Sequence, residues 1–576
     1  MFVDPERGVA TAQEALQGAS DILAEAVAET ADLRVYVRRA LYERGVFAAS
    51  IAAKHAVGTT NFEMYRTYRA PVKKIPAHNL LALFRGEAEN VVNVALTVDE
   101  EPILRYLFRR EIHTDDPESR AFFQAMITDA FHRLMKKTLS AEVRREAKQQ
   151  ADQTSIATFA ANLRELLLAS PAGMRPTIGI DPGFRTGCKL AVLDRTGKLL
   201  AYCTVFPHAS APQREQAATQ LAGLIRTHRV ELLAVGNGTA GRETSTFVGE
   251  VVAGLDAVTV TPITAMVSEA GASIYSASDR AIEEFPDLDV TVRGAVSIGR
   301  RLQDPLAELV KIDPQSIGVG QYQHDVDQAQ LKQALDETVE SCVNYVGVDI
   351  NTASPALLCF VAGISPTLAT NIVAHRDAQG AFADRRALLK VPRFGPKAFE
   401  QVAGFLRIRQ GRNPLDNTAV HPESYAIVQR MARDLGVPLA AMTTNADRLS
   451  ALDLKRYVTD AAGLPTLRDI VAELQKPGRD PRAEFRYATF REDVRKIADL
   501  TEGMVLEGVV TNVTNFGAFV DIGVHRDGLV HVSQLADRYV RDPHEVVKVG
   551  QVVTVRVMDV DAGRSRIGLS MRAEQR

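Results

Sequence analysis

Between Val513 and Leu535 the chain reads VTNFGAFVDIGVHRDGLVHVSQL. If Gly517 to Ile522 is extended, Ala518, Val520 and Ile522 share one face and Phe519 stands on the other beside Asp521. A ring on the wet side of a strand offers its π-face to an unpaired base, and such stacking is worth about 1–3 kcal/mol per base whatever the base sequence. Carboxylates suggest a second chemistry. Asp181 ends the apolar run of IGIDPGFRTG, while VSEAGASIYSAS carries Glu269 and SIGRRLQDPLAEL carries Asp304. Two-metal phosphodiester cleavage needs several such groups within reach of ions about 3.5–4 Å apart. No spacing rule makes these three converge, so they are weak catalytic candidates and no metal site is expected. A third chemistry lies in two tight turns that open helices, Gly363-Ile364-Ser365 and Arg393-Phe394-Gly395. Glycine lets backbone approach a phosphate closely, and the first amides of a helix have no internal partner and can donate to an anion. Gly363, Ile364, Ser365, Gly395 and Lys397 are therefore candidate backbone-binding residues, with Lys397 the best single phosphate partner.

The surroundings of these turns support that reading. Residues 355–412 hold nine Lys and Arg against three acids, an excess of six positive charges in a chain whose formal net charge is -3. Phosphate contacts of this kind are indifferent to base sequence.

The elements that must position these groups follow from texture. A chain of 576 residues suggests roughly four domains. Residues 1–170 form a helical region: from Thr11 to Ala169 apolar residues return every three or four positions, and an all-α fold is expected. Within it, residues 119–170 predict one very long helix whose charged middle, Glu142 to Asp152, faces water. Residues 171–324 change to short apolar runs and turns, giving three strands, then helix, strand, helix, strand and helices. Residues 325–412 are helical and contain the two turns. Residues 413–501 are a helical, irregular connecting region with the proline-bearing stretch QKPGRDPRAEF read as linker. Residues 502–576 are short strands with glycine turns, as in a small β-barrel. The fold class is multi-domain α+β on a mainly helical scaffold.

Four scattered cysteines without a CxxC pair indicate neither a disulfide framework nor a zinc ribbon. The N-terminus lacks a signal-peptide pattern and no apolar run is long enough to span a bilayer, so a cytoplasmic protein without membrane contact is expected. No heptad seam persists, which predicts a monomer.

Several stretches resemble known families. GMVLEGVVTNVTNFGAFVDIGVHRDGLVHVSQL with VGQVVTVRVMDVDAGRSRIGLSMR resembles the S1 RNA-binding domain, an OB-type barrel. That resemblance implies an RNA-binding surface of Phe516, Phe519 and His531, with Asp561 and Arg566 at the matching polar positions. LCFVAGISPTLATNIVAHRDAQGAF and LLKVPRFGPKAFEQVAGFLRI resemble tandem helix-hairpin-helix motifs, each keeping one of the two usual glycines. The strand order of 171–324 is that of a ribonuclease-H-like α/β domain, and IGIDPGFRTG resembles the YqgF branch, related to the RuvC resolvases. There Asp181 would help hold divalent metal. Where a resolvase-like enzyme carries an acid after its fourth strand, this chain has Asn237, so an inactive binding or scaffold domain is implied.

In this order, with RRLQDPLAELVKIDPQSIGVGQYQHDV between them, the parts resemble the Tex family of bacterial transcription accessory proteins from about Phe2 to Arg572. The resemblance implies a cytoplasmic factor that binds RNA, with DNA a further candidate, works with RNA polymerase and needs no cofactor. Members normally begin with a further helical segment, which the resemblance implies is missing here. Alternatives from other classes are a metal-dependent RuvC-like nuclease and a ribosome-associated translation factor.

Overall fold

The computed structural model describes residues 3–255, 261–320, 322–409, 411–444, 446–450, 452–459, 462–475, 480, 482, 494, 496–524, 526–561 and 566–572. The chain forms two compact units, Met1–Ala157 with Gln321–Leu331, and Thr158–Gly320 with Lys332–Arg576.

The first unit is helical but not all-α. Strands β1 (Val46–Ile51), β2 (Arg69–Pro71) and β3 (Val92–Thr97) make an antiparallel sheet in the order β2-β1-β3. Along β1, Phe47, Ala49 and Ile51 point inward at 0 %, 8 % and 8 % exposure, the alternation of a half-buried strand. Six residues of period two between helices merge with the three-to-four spacing around them, which is why the expectation of helix throughout fails.

The long helix is present, with a change of winding inside it. Pro117–Asp129 and Lys136–Leu167 are α-helical, and Ala130–Met135 between them is a π-helical segment. Its charged middle does not simply face water. Glu142 pairs with Arg34 at 3.2 Å, Glu146 pairs with Arg38, and Lys148 donates to the Asp325 carbonyl at 2.9 Å, while Val143, Ala147 and Ala151 are buried. Arg34 and Arg38 of the helix Ala31–Arg44 supply the opposite charges, so one side of the polar stripe is paired while Arg145 and Gln149 face water.

In the second unit, β4 (Thr177–Asp181), β5 (Cys188–Leu193), β6 (Leu199–Val205), β7 (Leu232–Gly236) and β8 (Ile263–Val267) form one sheet ordered β6-β5-β4-β7-β8. The first three strands are antiparallel, and β4, β7 and β8 run parallel. This is the ribonuclease-H-like order expected. The described part of the last strand begins at Ile263, and residues 256–260 before it lie outside those described. Helix Val290–Gln303 packs across β4 so closely that a Cβ on Gly179 would lie 2.0 Å from the Ala295 carbonyl oxygen. Only glycine permits this approach.

Two short parallel strands, β9 (Val348–Asp349) and β10 (Leu406–Arg407), bracket the tandem hairpins. The C-terminal strands β11 (Val505–Thr514), β12 (Gly517–Asp521), β13 (Gly528–His531), β14 (Val552–Asp561) and β15 (Arg566–Ser570) close into a barrel ordered β11-β12-β13-β15-β14. Its core is built from alternate residues, among them Val510, Ala518, Val520, Val530, Val555 and Leu569. The barrel leans on the end of the long helix. Asn162 donates to the Asn512 side chain at 2.8 Å and the Val513 carbonyl at 3.0 Å, and Glu165 accepts from the Val549 amide at 2.6 Å.

Candidate nucleic-acid interface

On the barrel, β12 alternates as its sequence requires: Ala518 and Val520 are fully buried, and Phe519 and Asp521 are partly exposed on the outer face. Phe519 stands in register with Asn512 of β11 and Leu529 of β13, and two positions along the same ladder Gly517 pairs with His531. The Phe516 and Phe519 rings meet edge to face with centroids 6.1 Å apart. His531 is exposed, its Nδ1 within 2.9 Å of the Ser533 hydroxyl. Phe516 in the β11–β12 turn, Phe519 on β12 and His531 at the end of β13 are thus neighbours on the barrel surface, none of them sealed. Asp561 and Arg566 face each other across the β14–β15 hairpin, and residues 562–565 of its turn lie outside those described. Asp521, at the far end of β12, is engaged by Arg242 at 2.7 Å, which bounds the face on that side. Asp521 is buried enough to hold its pKa above the usual carboxylate value despite Arg242.

In the hairpins, the two turns share one backbone shape despite their different sequences. Gly363 has φ +92° and Arg393, at the matching position, has φ +66°. Ile364 and Phe394 are buried at 5 % and 4 %, and each turn closes with an amide-to-carbonyl bond, Ile364 to Val361 at 2.9 Å and Phe394 to Val391 at 3.1 Å. A left-handed arginine is a strained choice that such packing enforces. The helix amides after the turns are not equally available. The Ser365 hydroxyl caps its own helix by accepting from the Leu368 amide at 3.3 Å, whereas Gly395 has no side chain to do so and a Cβ there would meet nothing within 4 Å. Lys397 is exposed two residues on, after Pro396.

The basic patch is smaller than its sequence count. Arg385 is 1 % exposed and donates to the carbonyls of Leu406, Thr418 and Val420. Arg407 is buried against the Gly404 carbonyl at 2.6 Å, and Arg376 donates to the carbonyls of Ile350 and Ala353. Burial lowers the pKa of Arg407 to about 10. These three arginines knit the hairpins together, leaving Arg386, Lys390, Arg393, Lys397, Arg409 and Arg412 of the nine. Arg409 stands 3.6 Å from Asp349.

The three acids of the ribonuclease-H-like domain do not converge. Asp181 is pushed up to about 6, first by burial and then by the negative charge of Glu269. The Glu269 carboxylate lies against Gly236 and Gly238, and its backbone amide donates to the Asn237 side chain at 3.0 Å. Asp304 is elsewhere engaged: it caps the helix Pro305–Leu309 and pairs with Arg482 at 2.6 Å. Asp304 is thus occupied by the helix cap and by Arg482, while Asp181 and Glu269 are the two that influence each other. Among the described residues, no group of three His, Cys, Asp or Glu side chains could hold a metal ion.

Comparison with known proteins accounts for nearly the whole chain. Residues 1–159 match a Tex central region-like model, 175–303 a Tex protein YqgF-like domain, 343–407 a helix-hairpin-helix motif and 499–572 an S1 RNA binding domain. Residues 413–482, read from the sequence only as an irregular connecting region, match an HHH domain. The signal there was weak because its helices are short and mixed with 3-10 turns. The chain is 49 % identical to "Protein tex" of Bordetella pertussis, covering 99 % of this chain and 74 % of that protein. It is 49 % identical to "Transcriptional accessory protein Tex" of Neisseria gonorrhoeae, covering 98 % and 74 %, and 48 % identical to "Protein YhgF" of Escherichia coli, covering 100 % and 75 %.

Proposed function

The chain belongs to the Tex family, and from that premise we propose that it is a cytoplasmic, nucleic-acid-binding transcription accessory factor with two distinct grips. The barrel holds single-stranded RNA: Phe516 and Phe519 stack bases, His531 borders them, and Asp561 and Arg566 make polar contacts near the last turn. The hairpins hold nucleic-acid backbone without regard to sequence through Gly363, Ile364, Ser365, Gly395 and Lys397. RNA polymerase is the partner that this role implies, and the chain acts as a monomer. No described helix is long and apolar enough to cross a membrane.

The observation that carries this reading is the placement of Phe519, outward between Asn512 and Leu529 with Phe516 edge-on beside it. A side chain with only a packing role would gain more by pointing into the barrel, where its neighbours Ala518 and Val520 are. The test is fluorescence anisotropy with single-stranded RNA at fixed salt. Phe516→Ala with Phe519→Ala weakens binding at least ten-fold if the rings stack bases, and unchanged affinity defeats the reading.

The ribonuclease-H-like domain serves in this proposal as a scaffold rather than a nuclease. Asp304 held by Arg482, and Asn237 in place of an acid, support that part. Magnesium-dependent cutting of labelled RNA or DNA that disappears in Asp181→Asn would overturn it.

A further inference from the structure

Beyond the barrel face, one loop displays groups with no structural employment. Between β13 and β14 the chain reads SQLADRYVRDPHE, and Tyr539 at its tip is 89 % exposed. The loop is nevertheless anchored. Leu535 and Val540 on either side of the tip are inserted into the barrel core at 2 % and 7 % exposure, so Tyr539 is held out by its neighbours. Arg538 and Arg541 flank it, both exposed. Arg572 reaches the same loop by donating to the Ala536 carbonyl at 3.0 Å. The nearby acids are Asp537, which is exposed, and Asp542, which accepts from the His544 amide at 3.0 Å.

The loop leaves from the rim where the aromatic cluster sits. The Val532 amide donates to the Phe516 carbonyl at 2.8 Å, and the Met571 amide donates to the Gln534 carbonyl at 2.9 Å. The chain therefore passes from His531, beside Phe516, along the end of β15 and on to Tyr539. Exposing an aromatic ring while burying the residue next to it places apolar area in water without any gain to the fold. Such a ring among arginines suits a strand of alternating bases and phosphates.

We propose that Arg538, Tyr539 and Arg541 extend the RNA site beyond the barrel face, Tyr539 stacking a further base of a single strand and the arginines holding its flanking phosphates. This rests on the barrel being the RNA site, and it adds a length requirement: short strands fill the face alone, and longer ones reach the loop.

The test titrates the full chain at fixed salt with single-stranded RNAs of about 4 and about 12 nucleotides, within the range of site sizes known for such barrels. Tyr539→Ala is expected to weaken the longer RNA about ten-fold and leave the shorter unchanged, and Tyr539→Phe restores the loss. Arg538→Ala with Arg541→Ala lowers the salt slope for the longer RNA by about 1 to 1.5. If Tyr539→Ala binds both lengths as the parent does, or Tyr539→Phe fails to restore binding, the inference falls, and a protein partner for the loop becomes the better explanation. Phe519→Ala separates the two readings. Loss at both lengths with Tyr539→Ala inert sinks only the loop, whereas no loss at either length sinks the RNA site itself.

Discussion

At the scale of single residues, chemistry and architecture compete for the same side-chain types. Phe519 was legible because alternation alone puts it opposite Ala518 and Val520. Arg385 was not: a cation counted into a basic patch is instead the hub of a carbonyl cluster, and nothing local distinguishes it from Arg386 next to it. Asp181 was found as a strand-end acid, but its environment was invisible until β4, β8 and their loops were assembled. Its folded-state pKa of about 6 lies above the ordinary 3.8 because burial and Glu269 both disfavour the charge. An acid raised in this way favours folding in its protonated form. Its contribution is fully present below the unfolded pKa and is lost as pH rises through about 6. At neutral pH the ionised carboxylate is therefore a cost. Asp181→Asn is expected to stabilise the protein by roughly 1–3 kcal/mol at pH 7 without divalent cations, and the gain shrinks towards zero near pH 4. Urea denaturation at the two pH values checks this, and equal effects at both contradict the assigned environment.

At the scale of elements, the strands of the second unit were readable because glycine and proline turns separate them, while β1 and β3 of the first unit were hidden among helices. Contacts between elements had no sequence signal at all. The docking of the barrel on the long helix depends on Glu165, which receives the Val549 amide and pairs with His544 at 3.2 Å. The Glu165 carboxylate holds the imidazole pKa above its ordinary value of 6.5. A histidine raised by its partner stabilises the docked arrangement fully below the unfolded pKa, and that help is lost as pH rises through the folded pKa. Hydrogen exchange of the β11 amides and of the turn amides near Val549 should accelerate beyond the intrinsic rate change as pH rises from about 6 to above the raised imidazole pKa. His544→Gln should abolish that excess. In the ribonuclease-H-like domain, Gly179→Ala would drive a methyl into the Ala295 carbonyl, and a loss of about 3 kcal/mol in thermal or urea unfolding is expected.

At the scale of the whole molecule, a net charge of -3 conceals surfaces of opposite character. The exposed cations of the hairpins surround turns suited to backbone contact, whereas the barrel offers rings, with a few charges at its rim. Salt separates these modes, because phosphate contacts release counterions and stacking does not. A chain ending near Glu502 is expected to keep duplex DNA binding with an unchanged salt slope and to lose single-stranded RNA binding by at least ten-fold. Lys397→Ala in the full chain should do the reverse, lowering the duplex slope by about 1 while leaving the RNA affinity close to that of the parent. The division follows from the fold: the barrel core is built from β11 to β15 and the segments joining them, while the hairpins are locked by Arg376, Arg385 and Arg407, none of which bonds to the barrel. If removing the barrel also removed duplex binding at low salt, the two grips would be one continuous site, and the hairpins would have to be reassigned to packing.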